Sequence, residues 1–228
     1  MGDHPSSGPI HRTMKPTTLF LAAILLAGCQ NYGGYSRASL NDGLLQFAEA
    51  SAKDEIKTAR MSLIEAGDAT AAARHDARHA GADRKVLQAE LRAARERLGR
   101  EKERSAALAK VVHVEEERAV EIDESVATAQ HELSVCQQRV QLHDAKAEVL
   151  KVHLDLAKAE EAHAAAVVDL LKARALRDLG REETAAIDVL KFERAERDCE
   201  TEIEIAKTVL RSAQREVSIL EERMYWED

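Results

Sequence analysis

The sequence predicts an all-α protein of long coiled-coil helices, forming either an extended rod or helical hairpins with bends near Gly99 and Gly180. Three observations carry this. All three prolines, Pro5, Pro9 and Pro16, lie before residue 17, so no ring clash or missing N–H interrupts the rest of the chain. Charged residues make up 32% of the 228 positions and aromatics only 3%, which suits a thin helix–helix seam better than a thick core. Apolar residues also recur every 3.5 positions. With Ile56 as heptad position a and Ala59 as d, 39 of 49 seam positions are apolar, against 45% for the whole chain. A period sustained that long is the pattern of left-handed coiled-coil packing.

Taken in order, residues 1–28 read as a signal peptide. Residues 1–13 precede a second methionine, Met14, and read as an upstream start or a long n-region. Met1-Gly2 with Ser6 also fits the permissive N-myristoylation pattern. Lys15 opens the signal, and the apolar run Leu19–Leu26 is too short for a bilayer span, which needs about 20 residues. It fits a secretory h-region ending in small residues. The tetrapeptide Leu26-Ala27-Gly28-Cys29 resembles the lipobox of bacterial lipoproteins. That resemblance implies cleavage before Cys29, palmitate and other acyl chains on Cys29, and, with Gln30 following, sorting to the inner leaflet of the outer membrane. Residues 29–43, carrying CQNYGGYSRASLNDG, read as the lipidated cysteine and a flexible tether. Helix is expected to start near Ser39–Asp42, where side-chain oxygens can cap it.

Residues 44–228 read as the coiled coil. Gly67 and Gly81 fall at e, Gly99 at b and Gly180 at f, so none opens a hole in the a/d seam. Around Gly99 and Gly180 the seam also carries charge, at Glu101, Asp178 and Glu182. Glycine costs a helix about 1 kcal/mol relative to alanine, which makes these two places the expected bends. Acidic seam residues (Glu101, Glu115, Glu161, Asp178, Glu182, Glu196) would meet their own copies in a parallel homodimer, and Arg84 is the only basic seam residue. This favours an antiparallel or mixed partner.

Candidate sites are few. Cys136 and Cys199 both fall at d and read as small buried residues or, in a parallel dimer within an oxidising periplasm, as interchain disulfides. His75 and His79 are four apart, so two imidazoles can face one metal ion from one helix side; at f and c they face solvent, and a third ligand is missing. His143 at d reads as a register-setting polar residue. Tyr225 and Trp226 are a candidate docking tip or a cap on the last seam layer.

A net charge of −8 repels phosphate backbones and argues against nucleic acid as a partner. No phosphate loop, Cys-x-x-Cys, HExxH or nucleophile elbow is present, so neither an enzyme, nor a cofactor, nor a small-molecule substrate is expected. The alanine-rich body is similar in style to small murein-linked outer-membrane lipoproteins, but longer and ending Glu-Asp where those carry a linking lysine. The expected role is a membrane-anchored structural spacer or protein-interaction scaffold at the cell envelope, associating with its own copies or another helical protein. The alternative is a helical-hairpin component of an envelope transport or secretion assembly, which a bend would favour.

Overall fold

The computed structural model describes residues 40–110 and 116–227. It is all-α. A short 3-10 helix, Asp42–Phe47, leads into three long helices: α1 (Ala50–Leu108), α2 (Glu116–Asp178) and α3 (Val189–Glu227). Asn41 opens the 3-10 helix, its Oδ1 accepting from the Gly43 N–H at 2.9 Å, so the expected side-chain cap is present. The long helix follows only at Ala50, where Glu49 supplies no side-chain cap.

The chain reverses twice. Arg84 pairs with Asp144, Glu90 with Arg139 and Arg97 with Glu132. As the number rises along α1 it falls along α2, so the two helices are antiparallel. On the other side, Arg174 reaches Glu193 and Lys146 reaches Glu221, so α3 runs antiparallel to α2.

The predicted a/d seam is the buried stripe of each helix. On α1 it runs through Ile56, Thr70, Ala73, Ala80 and Leu98, and on α3 through Phe192, Cys199 and Ala206. What covers it is this same chain, folded back on itself. Helix α2 is different because it carries two stripes. Beside its a/d residues, a second seam at c and f runs Ala145, Val149, Val152, Leu156, Ala159, His163, Ala166, Leu170, Ala173, and every one of these is buried or half-buried. At 3.5 residues per turn the two seams lie roughly 150° apart. So α1 and α3 flank α2 on almost opposite faces, and neither makes substantial contact with the other. The result is a flat layer of three helices. Alanines at the seams (Ala129, Ala157, Ala173, Ala206) are all buried, and such small residues let the axes approach toward the 8 Å end of the usual range.

The expected bend at Gly180 is present, and the one at Gly99 is not. Gly180 has φ +61°, the left-handed region that glycine enters without the Cβ penalty, and it follows the end of α2. The turn is held from within. Arg177 donates from its guanidinium to the backbone oxygens of Ala185 and Ile187, and the buried Thr184 hydroxyl donates to the Arg181 oxygen at 2.9 Å. Helix α1, in contrast, passes straight through Gly99. Leu98 beside it is buried, and that packing offsets a single glycine. The first reversal instead falls between Leu108 and Glu116.

The helices differ in reach. At 1.5 Å per residue, α1 with 59 residues is about 88 Å long, α2 with 63 about 95 Å, and α3 with 39 about 58 Å. Glu221, near the end of α3, pairs with Lys146. Helix α3 runs six residues further, to Glu227, so it ends about level with Val140. Roughly the first 24 residues of α2, about 36 Å, lie beyond it with α1 alongside. The molecule is three helices wide at one end and two at the other.

Candidate functional site

The three-helix end gathers the start of the described chain. Leu40 packs on the cluster of Leu170, Ala173 and Phe192, and Ala48 on Ile56 and Ala175. Asp42 accepts from Lys172 at 2.9 Å and from Arg60 at 3.2 Å, tying the 3-10 helix to both α2 and α1. The Arg181 guanidinium lies 4.0 Å over the Phe47 ring. This base is therefore closed by an apolar cluster, ion pairs and a cation–π contact. The opposite end, where α1 stops at Leu108 and α2 starts at Glu116, has two helices among the described residues.

Cys29, the lipidation candidate, lies outside the described residues, as do the rest of the signal segment and the Trp226 side chain. Tyr225 is exposed, but it does not stand at the end of a rod. The Lys146–Glu221 pair places it partway along α2, where three helices become two, because α3 folds back instead of extending the chain. Cys136 is half-buried on α2, in an open groove with Ala93, Ala94 and Val135. Cys199 is buried on α3. Glu196, one turn before Cys199, faces His163, and Cys136 is 27 residues from His163 along α2, about 40 Å. A disulfide needs Cα atoms within about 7 Å, so the two cysteines do not bridge within one chain.

His75 and His79 are both exposed on α1, and their Nε2 atoms stand 3.0 Å apart. Asp76 approaches the far side of the His75 ring, 3.6 Å from Nδ1, so it does not complete a three-ligand set there. His143 is half-buried on the α1-facing seam of α2, and its Nδ1 has no hydrogen-bond partner. Next to it, Arg84 donates two hydrogen bonds to Asp144, at 2.7 and 3.0 Å. That hydrogen bonding, with the charge of Asp144, pushes the Arg84 guanidinium further up from its ordinary value. The one basic residue in the predicted seam thus bridges to α2. On α3, the Glu204 carboxyl is held below its ordinary value by the hydrogen bond from Lys207, then by that ammonium's charge.

Among the described residues, one group joins three possible metal donors: His163 on α2 with Glu196 and Glu200 on α3. Reading the a/d seam alone misses His163. The signal is present in the sequence all the same, because His163 is the one polar residue in the c/f run from Ala145 to Ala173.

Among the described residues no helix is long and apolar enough to cross a membrane. Comparison with protein families, curated proteins and solved structures finds no match to this chain.

Proposed function

We propose that this chain is a membrane-anchored structural lipoprotein of the bacterial cell envelope, held by lipid at Cys29 and carrying a helical scaffold into the periplasm. The observation that supports this reading is the polarity of the molecule. Leu40 sits at the three-helix base, and the two-helix end lies at the far end of α1. Cys29 is eleven residues before Leu40, so an extended tether spans at most about 40 Å. A lipid at Cys29 keeps the base near the leaflet, while the hairpin reaches up to about 90 Å beyond it. Several acyl chains on one cysteine anchor firmly, since each buried methylene adds about 0.8 kcal/mol.

The second reading, a hairpin component of a transport or secretion assembly, is favoured by the Gly180 turn and the bare two-helix end. The two differ in what they ask of length. Palmitate labelling of the full chain and of Cys29→Ser tests the anchor: label on the first alone supports it, and no label on either defeats it. Paired deletion of residues 92–98 and 131–137 removes one heptad from each arm while keeping the register. A spacer then shortens by about 10 Å and alters envelope spacing. A docking hairpin keeps its activity after this deletion and loses it when tip residues such as Val120 become charged.

A further inference from the structure

We propose that His163, Glu196 and Glu200 form a binding site for a divalent transition-metal ion of the zinc type, clasping α3 to α2. The donor atoms lie within 4.8 Å of one another. Glu196 and Glu200 are four apart and share one face of α3, and His163 meets them from α2. Its Nε2 is buried and has no hydrogen-bond partner, while Glu196 Oε1 lies 3.7 Å away, beyond hydrogen-bonding distance. An imidazole nitrogen without a hydrogen-bond partner, gathered with two carboxylates, is a donor set that one cation can satisfy together. Zinc takes imidazole nitrogen and carboxylate oxygen at about 2.0–2.2 Å, which in a tetrahedral site sets donors about 3.4 Å apart. The His163–Glu196 separation of 3.7 Å is near this, and the whole group, within 4.8 Å, closes to it by side-chain rotation. Glu200 is exposed, leaving the fourth position open to water.

The setting supports a site over a stray polar residue. His163 interrupts an otherwise apolar seam, and Glu196 occupies an a position on the packing face of α3. Both halves of the pair place polar groups where packing alone would favour apolar ones. Borderline ligands of this kind suit zinc better than magnesium or calcium, which prefer oxygen donors alone.

The test is thermal unfolding of the full chain with and without zinc, in a His75→Ala, His79→Ala background that removes the exposed imidazole pair. At a hundredfold excess over Kd, zinc is expected to raise Tm by roughly 5–10 °C. Glu200→Gln, at an exposed position that leaves the fold intact, is expected to lose most of this shift, and His163→Ala all of it. Cobalt(II) in place of zinc is expected to show visible absorption that His163→Ala abolishes. No zinc-dependent shift, or one that survives undiminished in Glu200→Gln and His163→Ala, overturns the proposal.

Discussion

Alanine at Gly180 and alanine at Gly99 are expected to change stability in opposite directions. A Cβ at either position meets no atom within 4 Å, so neither substitution acts through a clash. At Gly180 the backbone has φ +61°, where an L side chain costs about 1–2 kcal/mol. Part of this is offset because alanine also restricts the unfolded chain, by about 0.4–1 kcal/mol, leaving a net loss of about 1 kcal/mol. Gly99 lies inside α1, where alanine is favoured by about 0.8–1 kcal/mol. The two variants should therefore differ by about 2 kcal/mol, a factor of about 30 in the folding equilibrium. Urea unfolding followed by far-ultraviolet circular dichroism reads this directly, and Gly180→Asn is expected to lose less than Gly180→Ala because asparagine tolerates the left-handed region. If Gly180→Ala stabilised the protein as Gly99→Ala does, the chain would run helical through residue 180 and the second reversal would be wrong.

Other outcomes follow from burial and charge. Leu176 is 1% exposed, and Leu176→Ala is expected to cost about 2–5 kcal/mol, whereas Val120→Ala at the exposed two-helix end should stay within about 0.5 kcal/mol; equal losses in urea unfolding would refute the packing. Under native conditions Cys136 should react with maleimide well before Cys199, read by mass spectrometry of the digested chain; equal rates would mean that α3 is not seated on α2. The Glu204 carboxyl is depressed in the folded chain, so its contribution is present above the unfolded carboxyl range and is lost as pH falls through the folded value. Lys207→Ala is expected to move its titration midpoint upward in NMR, and an unchanged midpoint would refute the pairing.

The helices are legible in the sequence because the a/d stripe is buried on all three, although α2 buries a second one as well. Their folding is not, because the heptads stay in frame across both reversals and an unbroken count looks like one rod. The charges are better guides to direction. Acidic seam residues argue against parallel copies, and the lone basic one, Arg84, pairs with Asp144 across an antiparallel interface. Gly99 misleads because propensity is a weak prior that packing overrides. Between Leu108 and Glu116 the sequence has no glycine or proline, so the two residue types that most often punctuate a helix give no warning of the first reversal. The metal donors escape a seam count because His163 belongs to the second stripe of α2, which only a third helix makes visible.

That second stripe explains why this chain needs three helices. A helix with one apolar seam is satisfied by one partner, as α1 and α3 each are. From Ala145 to Ala173, α2 carries seams on nearly opposite faces, and a two-helix hairpin would leave one of them in water. Before residue 145 the f positions turn polar, with Gln138, His131 and Glu124 in succession, and there α3 ends. The length of α3 thus matches the length of the stripe it covers, and the step from three helices to two is written into the polarity of α2. Truncation after Gly180 should expose the stripe and drive self-association, seen as a rise in mass by light scattering. A charged substitution at the exposed His131 should leave both mass and helicity unchanged, because no third helix lies over it. A truncated chain that stayed monomeric would mean that the c/f face of α2 does not depend on α3 for cover.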